Sequence, residues 1–504
     1  MNPHGVGQPQ GIAPTVNHIR KNVQGKTITK MIQFILNNKN IQTQLPQGST
    51  VLDFVRHEKK LTGTKIGCRE GDCGACTILV GEIKNEELVY QSMTSCITPL
   101  INIHGKHIIT IEGINRKDLT PIQTLMVNNN GTQCGFCTPG FIVSLTGFAL
   151  SDEKVNSKNA IKSIDGNICR CTGYKSIERA TDIFCDQLKN KSTTQKIPWL
   201  VENGHLPEYM LDVESRLVEL NEELKSKLVF NNTPTEYFLG GGTDLLVQKR
   251  EVINKASVKN KFDDPTLKGI EIKDGICTIG AAATVTDLEE SLVYNNILPN
   301  FKKHLKLVSS TPIRNMATLA GNFVNASPIG DMTIFFLALD SSIILNKNGK
   351  TRTVALKDFF LDYKKLDKSP EEFIEKIQFP IPDKTTYFNF EKVSKRTHLD
   401  IASVNSACQI NLSEDKTISA IHLSAGGVGP IPKYLFKSSV FLKNKKLSDI
   451  DLNDFFKMVN QEISPISDAR GAADYKRLLL RQLILAHFIE FFGAIEPITK
   501  MLKR

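Results

Sequence analysis

The spacing of apolar residues changes several times along the chain, and each spacing predicts a different kind of element. The segment MIQFILNNKNIQTQL, residues 31–45, alternates apolar and polar positions as a strand and its hairpin partner do. STVLDFVRHEKKL, residues 49–61, has a helical period behind a Ser49 cap. GFIVSLTGFALSDE (140–153) and the segment 470–495 each place their apolar residues on a helical stripe. These patterns predict compact modules that mix strands and helices.

The length and composition limit the class of protein. A chain of 504 residues is too long for one hydrophobic core and predicts three or four domains. Hydrophobic residues make up 40% and charged residues 23%, which is typical of an ordinary globular protein. No apolar run reaches the roughly 20 residues that cross a bilayer, so no membrane partner is expected, and MTIFFLAL (332–339) is predicted to be buried core.

The N-terminal region and the net charge exclude further classes. Residues 1–30 are polar and have no apolar leader segment, which predicts a disordered tail on a cytoplasmic protein. The formal net charge is +10, but the lysines are scattered and form no basic stripe with aromatic residues. Nucleic acid is therefore not an expected partner.

The eleven cysteines require an explanation, since in a cytoplasmic chain such numbers point to metal binding or catalysis before disulfides. The first set of four is Cys68, Cys73, Cys76 and Cys96. Its C-x4-C-x2-C spacing with a remote fourth cysteine is that of plant-type 2Fe-2S ferredoxins. Gly67, Gly71 and Gly74 would allow the loop to turn its N–H groups toward the sulfurs. Zinc is the weaker alternative, because four-cysteine zinc sites usually use two C-x2-C pairs.

A second set of four cysteines follows. It consists of Cys134, Cys137, Cys169 and Cys171. By itself the combination of C-x2-C and C-x-C fits zinc, a redox dithiol or an iron–sulfur cluster, although C-x-C is shorter than the usual zinc pairing. The helical stripe between the pairs predicts a site among helix ends. Cys185, Cys277 and Cys408 are expected to be small buried hydrophobes, and His104 and His107 receive no catalytic role.

Two segments of small residues mark the middle of the chain. In YFLGGGTDLLVQKR, residues 237–250, a strand runs into three glycines, which can expose N–H groups to a pyrophosphate. A purely structural glycine turn is the alternative for this motif alone. The second segment, SSTPIRNMATLAGNFVNASPIGDM (309–332), could also approach a ligand closely, and it favours a binding site.

In their order along the chain, CREGDCGAC, QCGFCTPG and GNICRCTGY resemble the iron–sulfur portion of the molybdenum hydroxylases, and the two small-residue segments resemble their FAD-binding domain. The resemblance implies a multidomain α+β chain. The implied units are a disordered N-terminal tail (1–30), a β-grasp 2Fe-2S ferredoxin domain (31–106), a helical-bundle 2Fe-2S domain (107–190), a linker (191–222), an α+β FAD-binding domain of the PCMH type (223–382) and a C-terminal α+β domain like that of the CO dehydrogenase flavoprotein (383–495).

The resemblance also implies site residues. All eight cysteines of the two sets would be cluster ligands. The implied FAD-binding residues are Leu239, Gly240, Gly241, Gly242, Thr243, Asp244, Leu245 and Leu246 on the first loop, Thr318, Ala320, Gly321 and Asn322 on the second, and Asp331, Ile374 and Lys392 elsewhere. Ala320 stands where the family more often has glycine. Lys392 would favour the anionic reduced flavin, with a solvated lysine as the alternative. No catalytic residue is assigned.

The implied function is electron transfer. The chain would carry two 2Fe-2S clusters and FAD and reduce NAD, while a large partner subunit would carry molybdopterin in a heterodimer or a dimer of heterodimers. The second cysteine set would lie nearer the molybdenum and the first nearer FAD. The expected reaction is oxidation of hypoxanthine or xanthine to urate. An aldehyde or N-heterocycle substrate is one alternative, and a zinc-binding interaction module without a redox role is another.

Overall fold

The structure is a computed structural model, and it describes residues 31–226, 237–396 and 399–493. The predicted tail, residues 1–30, lies outside the described residues, as do residues 494 and 495 of the predicted C-terminal helix. The architecture is multidomain α+β, as predicted, with one helical unit and three that contain sheets. Among the described helices, none is long and apolar enough to cross a bilayer.

The first unit is a five-stranded sheet in the order β2-β1-β5-β3-β4. Its elements are β1 (Ile32–Leu36), β2 (Lys39–Thr43), α1 (Val51–Asp53), β3 (Thr77–Lys84), β4 (Glu87–Thr94) and β5 (His107–Ile109). β1 and β2 form the predicted antiparallel hairpin, and β1 pairs with β5 in parallel. The helix cap is Thr50 and not Ser49, because the Thr50 hydroxyl accepts a hydrogen bond from the N–H of Asp53.

The second unit is helical. Its helices are α2 (Ile111–Ile114), α3 (Pro121–Asn128), α4 (Thr138–Leu150), α5 (Ser157–Ser163), α6 (Lys175–Gln187), α7 (Lys196–Glu202) and α8 (Val213–Ser226). The sequence predicts one apolar stripe on α4, but the helix is buried on nearly every side because it packs against β3, β4 and neighbouring helices. The predicted linker, 191–222, folds onto this unit: Leu200 and Leu217 are buried in its core, and Trp199 stacks on His205.

The third unit contains the two small-residue segments. Its strands are β6 (Tyr237–Leu239), β7 (Val258–Asn260), β8 (Ile270–Lys273), β9 (Ile276–Gly280), β10 (Ser342–Lys347), β11 (Lys350–Ala355), β12 (Phe360–Asp362), β13 (Lys365–Leu366) and β14 (Phe373–Pro380). Its helices are α9 (Leu245–Gln248), α10 (Arg250–Ile253), α11 (Val285–Glu290), α12 (Leu292–Ile297), α13 (Phe301–Leu305), α14 (Thr311–Arg314), α15 (Leu319–Asn325), α16 (Asp331–Ala338) and α17 (Leu356–Phe359). An antiparallel sheet, β11-β10-β14-β9-β8, forms one layer, and β6 pairs with β7 in parallel. The apolar segment 332–339 is buried, as predicted.

The fourth unit is an antiparallel sheet covered by helices. Its elements are β15 (Thr386–Val393), β16 (Val404–Leu412), β17 (Ile418–Gly426), β18 (Lys433–Tyr434), α18 (Phe436–Leu442), α19 (Leu452–Glu462) and α20 (Ala473–Phe492). The sheet order is β15-β16-β17-β18. α20 is the helix that the sequence predicts over 470–495, and it packs on β15 and β16 because Leu480, Ile484 and Phe488 are buried there.

Two hydrophobic cores join the first unit to its neighbours. One joins Leu79 of β3 to Phe141 and Leu145 of α4. The other joins Ile97, which follows β4, to Leu239 and Met316 of the third unit. Because close-packed interiors do not deform easily, these shared cores fix the first unit between the helical unit and the third unit.

Candidate functional site

The first cysteine set converges at one end of the first sheet. Cys68, Cys73 and Cys76 lie on the loop before β3, and Cys96 lies in a short 3-10 turn after β4. The Cys68 thiol is hydrogen-bonded to the thiols of Cys73 and Cys96, and these bonds hold the pKa of Cys68 well below its usual value. The Cys76 thiol is also bonded to that of Cys96. The four sulfurs that the sequence predicts as ligands therefore lie together.

The backbone of this loop turns toward the sulfurs. The N–H of Glu70 donates to Cys68 Sγ at 3.3 Å, and the N–H of Cys68 donates to Cys73 Sγ at 3.4 Å. A Cβ atom on Gly67 would lie 2.6 Å from Cys73 Sγ, so a larger residue would displace the sulfur. Gly71 and Gly74 have φ angles of +85° and +67°, which side chains disfavour. This geometry agrees with the role that the sequence predicts for the three glycines.

The second cysteine set lies among helix ends, as predicted. Cys137 precedes α4, and Cys169 and Cys171 lie just before α6. The sulfurs of Cys171 and Cys134 are 3.5 Å apart, and the Cys137 thiol is hydrogen-bonded to that of Cys169. Burial and this bond raise the pKa of Cys137 to about 12. Cys134 and Cys171 are exposed, whereas Cys169 is buried, so one side of the thiol group faces outward.

Each thiol set brings together four sulfurs, the number of ligands that a 2Fe-2S cluster takes. In the ranges that the structure describes, no three or more His, Cys, Asp or Glu side chains are arranged to hold one metal ion. In the first set, hydrogen bonds link the thiols in the order Cys73, Cys68, Cys96 and Cys76. In the second set, Cys134 lies beside Cys171 and Cys137 beside Cys169. A 2Fe-2S cluster takes four thiolates, two on each iron, whereas structural zinc needs four around one centre.

The two thiol groups are joined by short backbone contacts. The N–H of Ile168 donates to the carbonyl oxygen of Cys73 at 3.0 Å, and Ile168 immediately precedes Cys169. Beside this bond, Asn167 Nδ2 donates to the carbonyl oxygen of Gly74 at 3.1 Å. A Cβ atom on Gly74 would lie 2.3 Å from the carbonyl oxygen of Gly166, so only glycine permits this approach. Ligand-bearing segments from two units are thus in direct contact.

The two predicted flavin loops meet face to face in the third unit. A Cβ atom on Gly241 would lie 1.8 Å from the carbonyl oxygen of Met316, and one on Gly240 would lie 2.9 Å from Thr318 Oγ1. Thr318 caps α15, because its hydroxyl accepts from the N–H of Gly321 at 3.2 Å. Gly242 has a φ angle of +86°. Bare backbone at the contact between two loops suits a dinucleotide cradle, so these residues fit the predicted FAD site.

The remaining loop residues support this geometry in different ways. Leu239 and Leu246 are buried in the core shared with the first unit, and Thr243 and Leu245 are half-buried between them. Ala320 lies inside α15, where its methyl group packs against the core, so the helix tolerates the departure from glycine. Asn322 Oδ1 accepts from the N–H and hydroxyl of Thr333, which ties the second loop to α16.

Asp244 is the acidic residue of the first loop. Its carboxylate accepts a hydrogen bond from Asn325 Nδ2 at 2.6 Å, which connects the first loop to the end of α15. Burial raises the pKa of Asp244 to about 6, and the positive charge of Lys364 only partly opposes this effect.

Lys392 is neither solvated nor an isolated cation. Its side chain is 2% exposed, and Nζ lies 2.7 Å from Asp331 Oδ2 and donates to the carbonyl oxygen of Leu307 at 2.6 Å. Asn405 Nδ2 donates to the other carboxylate oxygen of Asp331 at 2.6 Å. The solvated alternative is therefore wrong. Because the ion pair is nearly neutral as a whole, the bias toward an anionic flavin is weaker than for an unpaired lysine.

Ile374 lies in β14 and is buried in the core of the third unit. The ring of the preceding residue, Phe373, contacts that of Phe238 just before the first loop, at a centroid distance of 5.3 Å. Phe373, not Ile374, is thus the residue of this pair that contacts the approach to the first loop. The predicted contact of Ile374 with the flavin stays a prediction.

The first flavin loop rests directly on the segment that follows Cys96. Asn102 Nδ2 donates to the carbonyl oxygen of Gly240 at 2.9 Å, and Thr98 Oγ1 lies 3.1 Å from the sulfur of Met316. A Cβ atom on Gly242 would lie 2.7 Å from the ring of Pro99. The sequence offers no signal for these contacts, because they join residues more than 130 positions apart.

Comparison with known proteins follows the same division of the chain. Four family models match: "2Fe-2S iron-sulfur cluster binding domain" at residues 34–100, "2Fe-2S binding domain" at 110–182, "FAD binding domain in molybdopterin dehydrogenase" at 219–382 and "CO dehydrogenase flavoprotein C-terminal domain" at 389–491. The chain is 29% identical to xanthine dehydrogenase of Emericella nidulans over 83% of its own length and 28% identical to xanthine dehydrogenase 1 of Arabidopsis thaliana over 93%. The chain is thus similar to the xanthine dehydrogenases over most of its own length. The matched models divide it into two 2Fe-2S domains, an FAD-binding domain and a flavoprotein C-terminal domain.

The relatives also differ from the chain. It spans 35% of the Emericella nidulans protein and 40% of the Arabidopsis thaliana protein. Aldehyde oxidase 2 of Macaca fascicularis is 24% identical over 94% of the chain and 40% of that protein. A solved structure of carbon monoxide dehydrogenase from Hydrogenophaga pseudoflava matches 50% of the chain and 88% of its own chain. The TM-score is 0.47 and the sequence identity is 23%. The predicted domain boundaries and individual site residues stay predictions.

Proposed function

We propose that this chain conducts electrons one at a time from a molybdopterin-bearing partner subunit to FAD and then to NAD, during oxidation of hypoxanthine or xanthine to urate. Iron–sulfur clusters exchange single electrons, whereas a flavin accepts two and can deliver a hydride. The observation that carries the proposal is the contact of Asn102 and Pro99, which follow Cys96, with Gly240 and Gly242 of the first flavin loop.

The residues have separate tasks in this proposal. The eight cysteines hold the two clusters, and the hydrogen bond between Ile168 and Cys73 keeps the second thiol group against the first. Gly240 and Gly241 let the first loop approach Met316 and Thr318 of the second segment, which keeps the two flavin loops in contact. The outward-facing Cys134 and Cys171 suit contact with the partner, in a heterodimer or a dimer of heterodimers. The order is then second cluster, first cluster and FAD.

A spectroscopic experiment tests the proposal. The chain is purified anaerobically, loaded with iron, sulfide and FAD, and reduced stepwise with dithionite or NADH. We expect about four irons per chain, two distinct EPR signals and flavin reduction by NADH. Fewer than two paramagnetic centres on reduction would contradict the proposal, and stoichiometric zinc in place of iron would favour an interaction module.

The substrate of the assembled enzyme is tested separately. The similarity to an aldehyde oxidase favours an aldehyde or an N-heterocycle as the second candidate. The complex with its copurified partner is assayed with xanthine, hypoxanthine, aldehydes and N-heterocycles under saturating NAD. We expect NADH formation to be fastest with the purines, and faster turnover of an aldehyde would replace the proposed substrate.

A further inference from the structure

Arg250 connects the flavin loop to the ligands of the first thiol group. It begins α10, shortly after the first flavin loop. Its Nη2 donates to the carbonyl oxygen of Arg69 at 2.8 Å and to that of Cys96 at 3.3 Å. Arg69 follows Cys68 directly, so one guanidinium group bridges the backbone beside two predicted ligands that are far apart in sequence.

The positive charge of Arg250 is offset less by nearby groups than that of Arg69. The Arg69 guanidinium lies 3.0 Å from Asp53 Oδ1, so most of its positive charge is offset locally. The two bonds of Arg250 go to neutral carbonyl oxygens, and its charge acts on the Asp53 carboxylate more weakly than that of Arg69 does. Its Nε atom is buried and has no hydrogen-bond partner among the described residues. A positive charge in partly buried surroundings interacts more strongly than one in water.

We propose that Arg250 is a positioning residue that fastens the flavin loop to the first thiol group and raises the reduction potential of the cluster held there. The inference rests on the proposed function. Each electron that enters a thiolate-bound cluster adds negative charge, and a nearby guanidinium stabilises that charge. Hydrogen bonds and net charge around the sulfurs are established determinants of such potentials. Arg250 would thus affect both the distance from the first cluster to the flavin and the potential difference that drives electron transfer between them.

The test is an anaerobic redox titration of the loaded full-length chain, followed by EPR at both cluster signals. Arg250→Gln removes the charge, Arg250→Lys retains it, and Arg352→Gln is the control, because Arg352 pairs with Asp367 and Glu372 in a partly exposed network of the third unit. At a fixed solution potential, we expect Arg250→Gln to lower the reduced-to-oxidised ratio of the first cluster about tenfold. This corresponds to a decrease of about 59 mV in its one-electron midpoint potential. The midpoint potential of the second cluster should change less.

The outcomes separate the inference from the function on which it rests. An unchanged midpoint potential in Arg250→Gln, or an equal shift in Arg352→Gln, overturns the inference. The inference is also overturned if Arg250→Lys shifts the midpoint potential of the first cluster as much as Arg250→Gln does. If Arg250→Gln does not fold, Arg250→Met keeps the aliphatic stem and carries the same expectation. Failure of the wild-type chain to show two reducible clusters contradicts the proposed function itself.

Discussion

Replacing Gly241 with alanine tests whether close contact between the two small-residue loops forms the flavin site. The added Cβ atom would lie 1.8 Å from the carbonyl oxygen of Met316 and 2.7 Å from its carbonyl carbon. Real Cβ contacts are essentially never shorter than 3.0 Å, and neither atom belongs to a side chain that could rotate away. The two loops must therefore move apart by about 1 Å, and overpacking of this kind typically costs about 1–3 kcal/mol.

The expected result is a lower flavin content together with a lower melting temperature. For a domain of this size, 1 kcal/mol corresponds to about 2–4 °C. Flavin stoichiometry is measured from visible absorbance after gel filtration, and melting is followed by circular dichroism with and without added FAD. Gly429→Ala is the matched control, because the nearest atom to its Cβ position lies 3.9 Å away. Wild-type flavin content and melting in Gly241→Ala would refute the reasoning, as would an equal loss in the control.

Three further changes follow from the site. Lys392→Met leaves the Asp331 carboxylate without its cation, so we expect a loss of about 3–5 kcal/mol in the free energy of unfolding by denaturant, partly recovered when Asp331→Asn is added. Cys134→Ser should abolish the EPR signal of the second cluster but leave that of the first, whereas Cys185→Ala should retain both because Cys185 is a buried thiol away from the set. Asp244 binds its proton more tightly in the folded state, where its pKa is about 6 against 3.8. The free energy of unfolding of the flavin-free chain should therefore fall by about 3 kcal/mol as the pH rises through this interval. Asp244→Asn should remove this dependence in thermal melts at pH 4 to 7, and persistence of the full slope would contradict the assignment.

Elements with a strong local signal could be predicted from the sequence. The hairpin of β1 and β2 follows from alternation, and α20 follows from a helical stripe within two or three residues of its ends. The C-x4-C-x2-C spacing predicts the first cysteine set, whereas the ligand set of the second is implied by the family resemblance. In the second loop, the Thr318 hydroxyl also caps a helix, a pattern that short-range hydrogen bonding explains.

Features that depend on distant partners could not be predicted. Lys392 is separated from Asp331 by 61 positions, and no local pattern distinguishes a buried, paired lysine from a solvated one. The region 191–222 is charged, yet Leu200 of α7 and Leu217 of α8 are buried in the core of the helical unit. The contact between Asn102 and Gly240 likewise requires the packing of two units before it exists.

The contacts between units also explain why the first thiol group lies between the other two sites. On one side, the carbonyl oxygen of Cys73 is bound by the residue that precedes Cys169, and on the other, the segment after Cys96 lies under Gly240 and Gly242. Each contact has a glycine beside it, Gly74 on one side and Gly242 on the other, where an added Cβ atom would push the partners apart. Since each contact is backed by a hydrophobic core that spans the same boundary, the separations between sites are set by packing as well as by the ligands. A substitution such as Gly74→Ala should therefore disturb both thiol groups together.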